Sequence, residues 1–546
     1  MTSTPATGNP VAARPSVGRA VRIGGTSYPL VLPNVRDPRL HVAFVIISVH
    51  ALGQVGLHFW VSVPQILAAI LTCWIIEVVI TFAKSKAFVW PASAMLTGSG
   101  VALILRVVGT PPDQPWSTNA IEVFAVVAGL SLLSKYVIRY RGVHVFNPSN
   151  IGLVVAFIVL GGARVEPLDF WWAPLSNPAM LLAYALILGG GLLITRRLRL
   201  LPLAATYWLV LAAGLAVLAA SGHSMVARWS FAPVTGFDYW RVIVTSPEVL
   251  IFLFFMITDP KTIPPGRVGR VVFGALVAIV GVLFMAPQTD EFGTKVGLLA
   301  GLVAVSAVRP VLERFLPAPG TPEDTLRWLA GRLLPGFGSG ASRARRPLGV
   351  GVAAAAAAAL SAAVLVAGIP ARGFVTSTSA EVLDRLPSQV DPSTLPTVTV
   401  APDVTEFDPT LGQADIQAIL VTLAQNLEYE NQATLRSDPS ILTAVDHGDR
   451  LAEMQARVAA AAGGGERTIE HYTFDAIHVR RLVPFGVQSG LSLGLDGSGT
   501  LVREVYSADG ALVSRASEPF ATTFAVRRAT GDRWLTIGAL PPGAAS

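Results

Sequence analysis

Eleven apolar stretches near the length that crosses a bilayer, several of them shorter, follow one another between residues 40 and 370. They lie near 41–59, 62–82, 91–109, 119–137, 149–162, 179–195, 201–220, 247–258, 271–287, 294–309 and 348–369. A chain of 546 residues that is 52% hydrophobic and 14% charged is too apolar for one soluble domain, so the pattern predicts a multi-pass membrane protein. The basic residues alternate in density along it. Lys84 and Lys86, Lys135 to Arg141, Arg196 to Arg199, Lys261 to Arg270, and the 310–347 connection (Arg314, Arg327, Arg332, Arg343, Arg345 and Arg346) fall on one side. Only Arg106, Arg164, Arg228, Arg241 and Lys295 fall on the other, which predicts a cytoplasmic N-terminus and an extracytoplasmic C-terminal region in a bacterial cell membrane. The net charge of +6 is therefore a property of the connections, and nucleic acid is discarded as a partner in favour of membrane lipid. Cys73 is the single cysteine, so one chain can build neither a disulfide framework nor a cysteine-ligated metal or iron–sulfur cluster.

Three of the apolar runs are interrupted. Before the fifth, the stretch from Ser134 to Gly162 brings a basic cluster, then "FNPSN" (Phe146 to Asn150), directly in front of an apolar run. Backbone broken in this way persists in hydrocarbon only if it is packed in protein or lines a cavity. The third run opens with "WPASAMLTGSG" (Trp90 to Gly100), and the eighth is "SPEVLIFLFFMITDP" (Ser246 to Pro260). If runs one to five form one unit and six to ten another, the second starts from the opposite side and is an inverted copy. Breaks at corresponding places then point to a site between the halves. Short or tilted helices are the plainer reading of the same breaks.

The flanks read differently. Residues 1–39 are polar, rich in Pro, Gly, Ser and Thr, and read as a disordered cytoplasmic tail. The expected order is then a membrane domain over 40–315, a cytoplasmic linker over 316–347, an eleventh spanning helix at 348–369 and an extracytoplasmic linker over 370–410. Residues 411–546 read as a soluble α+β domain: Ile416, Ile419, Leu420, Leu423 and Leu427 recur at helical spacing, and a second helix is expected over 438–461. Alternating strands follow, with turns at "LDGSGT", "SADGAL" and "ATGDRW". This pattern resembles the small NTF2-like, cone-shaped domains. The fold class is thus an all-α membrane domain of two inverted five-helix repeats plus one helix, followed by an NTF2-like domain.

Polar and ionisable groups inside the apolar runs are the site candidates, because a charge near the bilayer centre costs about 2.5–3.5 kcal/mol and normally faces the protein interior. Glu77 in "WIIEVVITF" is expected either to pair with a basic residue of another helix or to serve ion or proton movement. Asp259 in "MITDPKT", with Thr258 and Thr262, can cap an ordinary turn or offer oxygens to a hard cation. Thr97 and Ser99 add hydroxyls in the broken third run. Lys135 is expected to snorkel to the inner surface or to meet a phosphate or flavin. His50 and His58 lie eight residues apart and read as core or interfacial histidines rather than heme ligands. No nucleophile triad, phosphate loop or zinc constellation is present in the sequence, and no metal ligand set is assigned.

"SAMLTGSGVALIL" (Ser93 to Leu105), "LSKYVIRYRGVHVFNPSNIG" (Leu133 to Gly152) and "FFMITDPKTIPPGRVGRVVFG" (Phe254 to Gly274) together resemble the family containing NqrB and RnfD. These are the membrane subunits of the sodium-translocating NADH:quinone reductase and the Rnf electron-transport complex. The likeness spans roughly residues 40–315, and the UnbU-like members found in enediyne clusters are more similar still. It implies ten membrane helices in two inverted repeats, and flavin-linked electron transport coupled to ion movement. It also implies partner subunits carrying the other redox centres. As an enzyme, the chain would be one subunit of an ion-translocating oxidoreductase. In the redox subunits a loop threonine after the fifth helix carries FMN covalently. The corresponding loop, "GGARVEPLDFWWAPLSNP" (Gly161 to Pro178), has no threonine, and Ser176 is its single hydroxyl. Covalent FMN is therefore not expected. The resemblance leaves room for a non-covalent flavin, FMN or riboflavin, among Lys135, His144, Asn147, Asn150, Trp171 and Trp172, where the two tryptophans equally read as an interfacial belt. Two alternatives stay open: a permease or channel that keeps the scaffold without the redox centre, and an export platform, such as one for a natural product, in which the outer domain works.

Overall fold

The computed structural model describes residues 19–111, 114–162, 164–168, 175–227, 229–333, 346–371, 383–384, 386, 388, 390–463, 465–482, 491–529 and 533–543. Two compact units divide the chain. One holds the described residues of Met1–Val217, Arg241–Met285 and Lys295–Val364; the other holds those of Leu218–Trp240, Ala286–Thr294 and Leu365–Ser546.

The first unit begins with a β-hairpin, β1 (Arg19–Ile23) and β2 (Thr26–Val31), where a structureless tail over 1–39 is expected. Gly24 and Gly25, at φ +53° and +82°, close it as a two-residue turn of the type that matches strand twist. Alternating "RAVRI" and "TSYPLV" around Gly-Gly is the signal that composition obscured. Asp37 then caps α1 (Pro38–Val55) by accepting from the Arg39 amide. A capping box of Ser62 and Gln65 starts α2 (Val63–Ser85), and β3 (Phe88–Val89) returns to lie parallel to β2.

The third and fifth apolar runs fold short. α3 (Ala92–Ile104) has 13 residues and continues as β4 (Leu105–Val107). After α4 (Ile121–Val137), β5 (Arg139–Tyr140) and β6 (Val143–His144) turn through Arg141 and Gly142, both at positive φ. α5 (Pro148–Leu160) is again 13 residues long and is followed by β7 (Val165–Pro167), which pairs antiparallel with β4. Thirteen residues rise about 20 Å, against a hydrocarbon thickness of about 30 Å, so neither helix can cross alone. Their strands supply the missing backbone hydrogen bonds to each other instead. α6 (Pro178–Arg197) and α7 (Leu201–Ala220) are long.

The hairpin β8 (Ser224–Met225) and β9 (Val234–Thr235) lies in the second unit. α8 (Gly236–Thr245) precedes the eighth run, which is broken into α9 (Pro247–Ile251) and a π-helical turn over Phe252–Met256. α10 (Arg267–Met285), α11 (Glu291–Leu312), α12 (Leu326–Leu333) inside the expected 316–347 linker, and α13 (Arg346–Ala367) follow. Among the described residues, seven helical segments are long and apolar enough to cross a membrane, Gly236–Met256 among them, and three further apolar helices are shorter.

In the second unit, β10 (Thr399–Val400), α14 (Pro402–Phe407), α15 (Gln413–Arg436) and α16 (Gly448–Ala462) precede β11 (Arg467–Leu482), β12 (Ser492–Tyr506), β13 (Leu512–Arg528) and β14 (Trp534–Leu540). The sheet order is β10-β11-β12-β13-β14, antiparallel throughout except for the parallel β10–β11 edge. Ile416, Ile419, Leu420, Leu423 and Leu427 are buried on α15, the face their spacing predicted. The second helix starts ten residues later than its expected 438, because Pro439 and the positive φ of Gly448 confine the stretch before it to a 3-10 turn at Leu442–Ala444.

Candidate functional site

Two of the sequence interruptions meet inside the first unit. Asn147 ends the β6–α5 connection and caps α5: its Oδ1 accepts from the Asn150 amide at 3.2 Å and from Ser149 Oγ at 2.9 Å. Its Nδ2 donates to the carbonyl of Met256, at the end of the π-helical turn, at 3.4 Å. On the same side, His144 Nε2 lies 3.4 Å from Asp259 Oδ2. π-Helical turns expose backbone groups that an α-helix would use internally, and they recur at functional sites. Here the turn precedes Thr258, whose hydroxyl returns to the Phe254 carbonyl, and Asp259, which accepts from the Lys261 amide at 3.1 Å.

Between these breaks lies a cavity of about 290 Å³. Its lining divides by chemistry. Val42, Ile46, Leu96, Leu103, Ile104, Ile251, Phe254 and Phe255 form an apolar body, whereas Asp37, Arg39, His144, Asn147, Asp259 and Lys261 bring polar groups. Thr97 and Thr258 add hydroxyls, that of Thr97 already bonded to the Ser93 carbonyl at 3.1 Å. Gly100 borders the cavity too, and a Cβ there would stand 3.2 Å from Ser149 Oγ, so a larger residue would crowd the α3–α5 contact.

Of the residues singled out from sequence, the cavity gathers His144, Asn147, Thr97, Thr258 and Asp259. The others stand elsewhere. Lys135 Nζ is 2.9 Å from Glu77 Oε1 and 3.2 Å from Oε2, and Tyr136 also donates to that carboxylate, so the pair joins α2 to α4. Asn150 Nδ2 donates to the Leu299 carbonyl at 3.0 Å, holding α5 against α11. Thr262 closes the turn after Asp259 at 3.2 Å. The Ser99 carbonyl meets His50 Nε2 at 3.2 Å, and the Ser99 hydroxyl is buried without a bonded partner. His50 is buried within α1 while His58 is exposed beyond its end, so the two do not share a helix face. Trp171 and Trp172 lie outside the described residues.

Sequence reasoning missed a second polar group in this unit. Arg106 and Glu166 face each other across β4 and β7, 3.7 Å apart and almost fully buried, with the guanidinium 3.7 Å from the centre of the Trp60 ring. Lys295 donates to the Leu168 carbonyl nearby. As basic residues expected in outer connections, Arg106 and Lys295 carried no mark of burial; strand pairing after two short helices puts them inside.

The architecture is thus helical with membrane-length spans, and its first unit encloses a cavity between two broken segments. No protein-family model matches the chain, and none of the curated proteins compared with it does.

Proposed function

We propose that this chain is a multi-pass membrane subunit of the NqrB/RnfD kind, with two inverted five-helix halves and a cytoplasmic N-terminus. Its extracytoplasmic α+β domain is of the NTF2-like type. The working site is the cavity between "FNPSN" and "MITDP", and its guest is a non-covalently held flavin. One observation carries the reading: Asn147 bonds to the Met256 carbonyl beside a 290 Å³ cavity with an apolar body and a polar rim. Ligand sites are commonly about 300–1,000 Å³, largely apolar, with a few fixed polar groups.

The residues present fit such a ring system. Phe254 and Phe255 offer flat apolar contacts, and Asn147, Thr97 and His144 offer hydrogen bonds at its edge. At the rim, Asp37 and Asp259 balance Arg39 and Lys261, which suits the uncharged tail of riboflavin better than the phosphate of FMN. A flavin would supply one- and two-electron transfer; the chain's own residues bind it, orient it and hold the neighbouring charges in place. His144 and Asp259 form the titratable pair within reach of a proton moving with the electron. Electron donors and acceptors would come from partner subunits.

A permease reading is favoured by one further feature. A smaller cavity shares Leu103, Ile104 and Ile251 with the first and continues to Glu248 and Lys295, so an apolar constriction separates two polar ends. The visible absorption spectrum of the detergent-purified full-length protein separates the two. Flavin bands at one equivalent per chain support electron transfer; a colourless preparation turns the assignment to solute or ion permeation.

A further inference from the structure

The second unit contains a pocket of its own. It has a volume of about 70 Å³ and is lined by Val226, Thr289, Asp290, His447, Gly448, Arg527 and Ile537. Arg527, on β13, is 2% exposed. Its two terminal nitrogens donate to the carbonyls of Leu491 at 2.8 Å, Ser230 at 3.1 Å and Ala227 at 3.3 Å, but its Nε has no partner. Its direct hydrogen bonds all go to carbonyl oxygens, and the buried Glu291 carboxylate acts on its charge without forming an ion pair with it among the described residues. A buried charge in that state calls for a counter-charge, and a buried N–H left unmade calls for an acceptor.

A second feature converges on the same spot. Gly448 is the first residue of α16, a 15-residue helix whose N-cap, His447, makes no side-chain capping bond. The amides of its first turn and the positive end of the helix therefore face the mouth of the pocket without a side-chain acceptor at the cap. Thr289 and Gly448 are solvent-exposed and leave that mouth open, while Arg527 forms its buried floor. The one carboxylate in the lining, Asp290, is held by the start of α11: its Oδ1 accepts from the Gly293 amide at 2.6 Å.

We propose that this pocket is a binding site for a small inorganic anion, of halide to phosphate size, held between Arg527, the Thr289 hydroxyl and the α16 N-terminus. Helix N-termini backed by a cation are the common protein solution for such ions. A volume of 70 Å³ accommodates a few heavy atoms and excludes a nucleotide or a peptide carboxylate with its chain. The site belongs to the second unit and does not depend on the flavin or permeation reading.

The full-length protein in detergent, exchanged into gluconate at constant ionic strength, is titrated with sodium phosphate and separately with sodium chloride, and its unfolding temperature is followed. A saturable rise with either ion is expected, and the ion with the lower half-saturation identifies the occupant. Thr289→Val should raise that half-saturation about tenfold, one charge-assisted bond's worth, and Arg527→Gln should abolish the rise. Should Arg527→Gln fail to fold for want of its three carbonyl bonds, Thr289→Val decides alone. A flat wild-type titration with both ions, meaning that the pocket holds only water, overturns the proposal. So does a Thr289→Val protein that responds like the wild type.

Discussion

The side-chain amide of Asn147 bonds to the main-chain carbonyl of Met256, 109 positions along the chain, and so ties a helix start to a helix end. One asparagine thereby does two things: its oxygen caps α5 and its nitrogen satisfies a carbonyl at the close of a π-helical turn.

Asn147→Ala should lose both roles. The cap is worth about 1 kcal/mol and the bond to Met256 about 1 kcal/mol more. Asn147→Ser keeps a capping oxygen and should recover roughly half of the loss. Thermal unfolding of the purified variants measures this, and equal melting of Ala and Ser proteins would show that the cap contributes nothing.

Glu77 and Lys135 should behave as one unit. Their side chains are 12% and 13% exposed, so either left alone keeps a largely buried charge. Lys135→Met is expected to destabilise by about 1–3 kcal/mol, below the full range for a sealed ion pair because some solvent reaches it. Adding Glu77→Gln should restore part of that, with a coupling of about 1 kcal/mol. Strictly additive losses in this cycle would argue that the pair is incidental.

Asp446 makes the second unit sensitive to rising pH. Burial, and then the neighbouring Glu430 carboxylate, push its carboxyl well above the ordinary value of 3.8. Arg450 is bonded to Glu430 at 2.5 and 2.9 Å and only partly offsets this. The unfolded chain releases this proton near 3.8 and the folded one later, so stability falls as pH rises from that value through the folded pKa. Asp446→Asn should therefore raise the unfolding temperature at pH 8 more than at pH 4. A gain independent of pH would remove Asp446 as the cause.

His447 acts in the opposite direction. Burial, and then the charge of Arg527, lower it from 6.5 to about 4, so the folded protein holds it neutral. Its contribution is complete above pH 6.5 and is lost as pH falls from 6.5 towards 4, where the unfolded chain takes up the proton first. His447→Gln should flatten the melting profile across that interval. An unchanged acid limb would place the sensitivity in another group.

Much of the chain's organisation follows from local pattern. Each of the eleven apolar runs contains a helix, the third ending as β4 and the eighth passing through a π-helical turn, because a continuous apolar stretch has few ways to satisfy its own amides other than helical bonding. Pro after Asp, Ser or Asn marks the helix starts at Asp37, Asn147, Asn177 and Ser246, where the proline fits the first turn and the side chain caps it. The alternation of 467–540 likewise announces the strands of the C-terminal sheet. The breaks at "FNPSN" and "MITDP" are visible as composition.

Tertiary structure decided what local pattern leaves open. Whether two breaks are neighbours depends on how helices pack, and only folding puts Asn147 against Met256 and His144 near Asp259. It also sends Lys135 to Glu77 and Asn150 to Leu299, away from the cavity that the sequence alone would have let them share. Arg106, read from sequence as a basic residue at an outer rim, and the charged Glu166 and Arg527 are buried by strand pairing and sheet packing. The physical reason is common to all of these cases. Hydrogen-bonding periodicity is set by neighbours along the chain, whereas partners for polar side chains and the space left between helices are set by residues a hundred positions away.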